Sequence, residues 1–250
     1  MQSRDAKSQS RGDLDQFEAI AKLFETDPAP LIERIEAFPK FATRQSIAKF
    51  LTKYEIFKRV LNVNGSFVEC GVLHGAGTLA WAKLSSIFEP ANHVRKIIGF
   101  DTFEGFPSVD QKDSRTGTSD QLKPAGLTGS PYDHVREAVS VYDLNRAIAH
   151  IPKVELIKGD LTKTAPKYLE DNPHLVVALL YLDVDLYEPT KKAIEVFLPR
   201  MPKGAIIVFD ELNARIFPGE TLAVLETVGL RNLRIARFPF DSYVSFAVLE

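Results

Sequence analysis

From residue 66 onward the chain repeats one pattern: a short, almost wholly apolar run followed by a helix-length stretch. The runs are 66–72 (SFVECGV), 96–101 (KIIGFD), 154–159 (VELIKG), 176–184 (VVALLYLDV) and 205–210 (AIIVFD). Runs this apolar do not alternate between a wet and a dry face. They read as strands covered on both sides, the condition of a parallel sheet between helical layers. Helical patterns fill 76–88, 131–148, 163–170, 189–198 and 218–228. Ser130 before Pro131 fits an N-cap with proline at the first helical position, and Pro189 is placed similarly. The last two runs, LRIARFPF and YVSFAVLE, are separated only by Asp241 and Ser242. Parallel neighbours need a long crossover, so this gap predicts a terminal hairpin. The expected fold class is α/β: a mostly parallel seven-stranded sheet with an antiparallel C-terminal hairpin, plus N-terminal helices.

Ahead of the sheet, residues 1–12 are polar, lack hydrophobic periodicity and read as a disordered lead-in. Residues 13–63 read as a helical segment with helices over 13–25, 29–37 and 43–62. In the third, Ile47, Phe50, Leu51, Tyr54, Phe57, Val60 and Leu61 give one apolar face, for packing on the main domain or on a second subunit. Residues 64–250 then form one α/β domain. Its polar, turn-rich segment 107–130 predicts a mobile lid, and 107–150 an acceptor-covering region. The formal net charge of −2 provides no field to draw in nucleic acid or anionic membrane. No apolar run reaches the roughly 18 residues of a membrane span, and the first residues lack the apolar core of a signal peptide. With a single cysteine, Cys70, the expected setting is reducing and cytoplasmic.

The first strand leads into Glu69-Cys70-Gly71-Val72-Leu73-His74-Gly75-Ala76-Gly77-Thr78. A glycine-rich strand-to-helix turn lets the backbone approach a ligand and aims helix N–H groups at it. Its G-x-x-x-G-x-G spacing differs from the dinucleotide fingerprint G-x-G-x-x-G. The acidic Glu69 suits a ligand with a positively charged amino end rather than a pyrophosphate. A tight turn with no ligand is the plain alternative. Asp101 ends the second strand, where an acidic residue is placed to accept from two ribose hydroxyls, although turn and cap roles are common for Asp. Asp160, after the third strand, is a candidate for an adenine amino group or for helix capping. The fourth strand carries Asp183 and Asp185, which share a face if the strand continues that far, and the fifth ends in Asp210-Glu211. Four carboxylates on neighbouring strand ends repel one another unless a hard cation gathers them; the bland reading is that each caps the following helix.

VECGV-x-x-G-x-G, GFDTFEGFP, LDVDLYEPT and VFDE together resemble the macrocin O-methyltransferase (TylF/MycF-type) family over about residues 43–250. The resemblance implies a Rossmann-like class I methyltransferase that takes a methyl group from S-adenosylmethionine (SAM) to a sugar hydroxyl. It implies Glu69, Gly71, Gly75, Gly77, Thr78, Asp101 and Asp160 at the cofactor, and magnesium on Asp183, Asp210 and Glu211. The family pattern has glycine where Val184 stands and Asp-Asp where Asp210-Glu211 stands, so a narrowed acceptor pocket and a longer third ligand arm are expected. Asp183 and Asp185 are the candidate bases, with His74 as a second. The implied partner is a small sugar-containing acceptor, and the apolar N-terminal helices suggest a homodimer. Three rivals stay open: a nicotinamide-dependent sugar-nucleotide oxidoreductase, a non-catalytic SAM-binding protein, and a methyltransferase for an amine or a catechol.

Overall fold

The computed structural model describes residues 10–114 and 117–250; the expected disorder of residues 1–9 lies outside them. Seven strands form one sheet: β1 (Ser66–Cys70), β2 (Ile97–Asp101), β3 (Val154–Lys158), β4 (Val177–Leu182), β5 (Ile206–Phe209), β6 (Ala236–Arg237) and β7 (Ser245–Val248). Their order is β3-β2-β1-β4-β5-β7-β6. The first five run parallel, while β7 pairs antiparallel with both β5 and β6. Strand order reverses between β1 and β4, so a crevice opens there at the carboxyl edge of the sheet.

The helices are α1 (Arg11–Thr26), α2 (Leu31–Glu36), α3 (Arg44–Val60), α4 (Ala76–Phe88), α5 (Tyr132–Asp143), α6 (Leu161–Asp171), α7 (Tyr187–Phe197) and α8 (Gly219–Thr227). Alternate strand residues feed two cores. On one face Phe67, Tyr181 and Val208 meet Trp81 of α4 and Ile56, Phe57 and Val60 of α3. On the other Val68, Leu180 and Ile207 meet Phe197 of α7 and Val224 of α8. An aromatic chain runs Phe57, Phe67, Trp81, Tyr181 at centroid spacings of 5.3, 5.7 and 5.9 Å. The apolar face of α3 is therefore part of the sheet's core, whereas α1 and α2 bury no side chain. No helix among the described residues is long and apolar enough to cross a membrane.

Four local expectations are corrected. Helix α1 begins at Arg11, inside the stretch expected to be disordered, because Ser10 and Asp13 form a reciprocal capping box. Pro131, not Ser130, caps α5, which ends at Asp143 rather than at residue 148. Helix α7 starts two residues before Pro189, which its first turn tolerates because the N–H groups there have no intrahelical partner. The terminal hairpin is antiparallel as expected, but Ala236 pairs with Phe246 and Arg237 with Ser245, leaving a longer connection than two residues. Asp241 organises that connection: it accepts from the backbone of Tyr243 and Val244 and from the Thr52 hydroxyl of α3.

Candidate functional site

A cavity of about 360 Å³ lies in the crevice. Its floor is the end of β1 and the loops after β2, β3 and β4, and residues 105–110 cover it. Gly71 is the hinge of the floor. Its φ is +96°, and a β-carbon there would overlap the carbonyl oxygen of Asp183, so only glycine lets the β1 and β4 loops come this close. Asp183 N–H in turn donates to the Cys70 carbonyl at 2.8 Å.

Asp101 clamps the glycine turn. Its Oδ2 accepts from the N–H groups of Val72 (2.7 Å) and Leu73 (2.8 Å), and Oδ1 accepts from Phe103 (2.6 Å). Each carboxylate oxygen has two acceptor directions, so Oδ1 keeps one for a ligand at the cavity wall it lines. Asp160 also lines the cavity and caps α6, accepting from Thr162 N–H (3.0 Å) and hydroxyl (2.7 Å). Partial burial would raise its carboxyl, but these hydrogen bonds outweigh that and hold it below the usual range.

Glu69 and Thr78 stand elsewhere. Both are buried beneath the turn and bonded to each other, outside the cavity lining. The buried Lys53 ammonium lies 3.7 Å from Glu69, 3.5 Å from the Tyr181 ring centroid and 4.9 Å from that of Trp81. Burial pushes Lys53 down and Glu69 up. Glu69 braces α4 and α3 from inside; a strand-end acid reads the same in sequence whichever way it points. Gly77 passes against its carboxylate, and Gly75, with φ +81°, begins α4 beneath Val135. His74 is exposed, shares a 2.9 Å hydrogen bond with Ser130 and does not line the cavity.

Asp183, Asp185 and Glu211 each offer an oxygen, all within 4.8 Å of one another. The strand stops at Leu182, so pleating does not bring the first two together. A left-handed residue does: Asp185 has φ +62°. Its Oδ1 is buried without a hydrogen-bond partner among the described residues. Asp210 takes another course: its carboxylate accepts from Lys49 of α3 (2.9 Å) and from the Tyr181 hydroxyl (2.5 Å). Burial and the Asp210 charge hold the Tyr181 phenol well above its ordinary value, so it stays a donor. The three gathered carboxylates are thus Asp183, Asp185 and Glu211, with Asp210 on the neighbouring strand end bonded to Lys49 and Tyr181. Two unit charges about 4 Å apart repel by about 4 kcal/mol at an effective dielectric of 20, so three gathered carboxylates call for a cation or protons. Behind them the fully buried Glu220 accepts the backbone N–H of Glu211 at 3.0 Å. Burial, then the nearby Asp210, raise its carboxyl well above normal.

Lys49, Lys53, Tyr181 and Glu220 were not singled out from the sequence. Lys49 and Lys53 are spaced to share a helix face, but their partner carboxylates lie far along the chain. Glu220 looked like an ordinary acidic residue in a helix's first turn.

A parallel sheet closed by an antiparallel last strand, with a glycine turn at its carboxyl edge, is the arrangement of a class I methyltransferase. The model of the macrocin O-methyltransferase (TylF) family matches residues 48–225, and the chain belongs to that family. It resembles the crystal structure of CalS11, a calicheamicin methyltransferase, with TM-score 0.92 and 30% identity over 99% of both chains. The apo structure of CalS11, described as a TDP-rhamnose 3'-O-methyltransferase of calicheamicin biosynthesis, matches with TM-score 0.84, again at 30% identity over 99% of each chain. A Streptomyces olivaceus protein, 8-demethyl-8-(2,3-dimethoxy-alpha-L-rhamnosyl)-tetracenomycin-C 4'-O-methyltransferase, is 29% identical over 156 residues, 60% of this chain. The chain spans about half the length of that curated relative, 53%.

Proposed function

We propose that the chain transfers the methyl group of SAM to a hydroxyl of a sugar-containing small molecule, a deoxysugar of the rhamnose type being the first acceptor to try. The observation that carries this reading is the charge of the cavity. Asp101, Asp110, Asp160, Asp183, Asp185 and Glu188 line it against Lys192. A nicotinamide dinucleotide would bring its pyrophosphate into that field, whereas SAM brings a sulfonium and an ammonium. Gly71 and Leu73 would face the donor, Asp101 Oδ1 its ribose, and Asp160 its adenine. Family membership and the two CalS11 likenesses support sugar oxygen over an amine or a catechol.

Asp183, Asp185 and Glu211 fit a hard divalent cation such as magnesium, since all three donors are oxygens and Asp185 Oδ1 lacks any other partner among the described residues. These residues would hold a cation whose chemistry would be to make a nearby acceptor hydroxyl more acidic. The chain's own residues orient the acceptor and receive the proton, Asp183 or Asp185 being the base within reach. The oxygen–carbon bond forms as the carbon–sulfur bond breaks, in line, and S-adenosylhomocysteine leaves. His74, bonded to Ser130 at the surface, takes no part in this scheme.

Calorimetric titration with SAM and with NADH tests the donor. SAM should bind and NADH should not; the reverse would remove the reading. Asp101→Ala should weaken SAM binding about tenfold or more, because a charge-assisted hydrogen bond is worth ~1.5–3 kcal/mol. Unchanged affinity would take Asp101 out of the ribose role.

The assembly we infer is a homodimer through α1 and α2. Helix α2 leaves Leu31, Ile32 and Ile35 more than half exposed, as are Phe38 just beyond it and Leu14 of α1, and a six-residue helix such as α2 gains little stability without a packed face. Light scattering should give twice the chain mass, falling to one chain mass in Ile32→Lys/Ile35→Lys. A monomer at the outset would exclude it. The lone, buried Cys70 accords with a cytoplasmic setting.

A further inference from the structure

Asp113 belongs to a polar stretch, Gln111-Lys112-Asp113-Ser114, yet it has no solvent exposure. Its Oδ1 accepts the N–H of Tyr187, the first residue of α7, at 2.9 Å. Its Oδ2 accepts the N–H of Asp110 at 3.1 Å. The helix needs that partner, because a first-turn N–H has no intrahelical acceptor and Leu186, at the cap position, has no side-chain oxygen to offer. The carboxylate is seated against the start of α8, where a β-carbon on Gly219 would overlap Oδ1. The next residue, Glu220, holds the N–H of Glu211. One helix start therefore backs the braces of both acidic loops.

The loop that Asp113 holds is the one carrying Asp183 and Asp185. From Val184 to Leu186 the chain makes a tight turn, with Leu186 N–H on the Val184 carbonyl at 2.6 Å and Asp185, its central residue, in the left-handed region. A non-glycine residue persists there only when its surroundings hold it. Asp113 grips the backbone two residues further on. Lys112 fastens the same stretch to α8 through Glu226 at 2.7 Å, with its ammonium 3.8 Å from the Tyr187 ring centroid. Burial pushes the Asp113 carboxyl up to about 6, against two N–H donors that pull it down. Protonation of one oxygen leaves the other able to accept, so the brace depends on an acceptor atom rather than on a charge.

We propose that Asp113 is a positioning residue for Asp185: by holding the first N–H of α7 it fixes the left-handed turn that brings the Asp185 carboxylate to Asp183 and Glu211. This rests on the reading of those three carboxylates as the reacting group of the site. Asp113→Ala and Asp113→Asn are compared with Asp185→Asn in the full-length protein. The readouts are kcat, affinity for S-adenosylhomocysteine, Mn²⁺ affinity measured with the metal alone, and Tm. Asp113→Ala should lower kcat about 10- to 100-fold and weaken Mn²⁺ about tenfold, with S-adenosylhomocysteine affinity within about threefold. Asp113→Asn keeps an oxygen for the Tyr187 N–H of α7 while giving up only the Asp110 N–H, where its amide NH2 cannot accept, and should recover kcat to within about threefold of the parent. The proposal is overturned if Asp113→Ala keeps full kcat and Mn²⁺ affinity. It is equally overturned if the Asn and Ala variants lose activity alike, or only in proportion to the folded fraction read from Tm. If Asp185→Asn itself leaves kcat and Mn²⁺ binding intact, the reading of the acidic group has failed, independently of Asp113.

Discussion

Asp183→Asn should cut turnover at least ~100-fold while leaving SAM affinity within about threefold. The substitution is nearly isosteric, and the backbone N–H of residue 183 still reaches the Cys70 carbonyl, so the β4 loop keeps its path. What changes is the carboxylate, one of three whose oxygens lie within 4.8 Å. On the proposed reading the variant loses an anionic oxygen for a cation and a proton acceptor together, but the contacts proposed for the donor on Gly71, Leu73 and Asp101 are untouched. Stopped turnover with a normal SAM titration is thus the expected signature. A variant with full activity would remove the acidic group from the reaction.

Gly71→Ala should damage fold and donor binding together. The residue has φ +96°, and a β-carbon there meets the backbone of Asp183. Backbone cannot swing aside as a flexible side chain can, so β1 and the β4 loop must separate where the cavity floor is made. A loss of about 3–5 kcal/mol is expected from strain and displaced packing. In a chain of this size that lowers Tm by roughly 10 °C, and SAM binding should fall below detection. Thermal unfolding and calorimetry on the purified variant check both. Unchanged Tm and affinity would mean that the two loops are not locked together as described.

The order of elements was legible because buried parallel strands write themselves as unbroken apolar runs, and the antiparallel end was legible because its connection is too short to cross the sheet. The acids at the strand ends were legible as a set. Their directions were not. Glu69 near the end of β1 and Asp185 just beyond β4 read alike, yet one is sealed beneath α4 with Lys53 and the other is turned toward Asp183 by a left-handed backbone. Strand periodicity ends at Leu182, so i, i+2 arithmetic could not say where Asp185 points. The partner of Asp210 was not legible either: Lys49, 161 residues earlier, donates to it at 2.9 Å. Asp113 and Glu220 were invisible for the same reason: buried acids among polar neighbours look like surface acids until the fold encloses them.

Mass spectrometry of nucleotide-linked and glycosidic rhamnose-type sugars, incubated with the protein and SAM in magnesium or in chelator, bears most directly on the account. One sugar should gain a single methyl group on oxygen in magnesium and remain unmodified in chelator. Methylation of an amine or a catechol in place of every sugar, or equal sugar methylation in chelator, would contradict it.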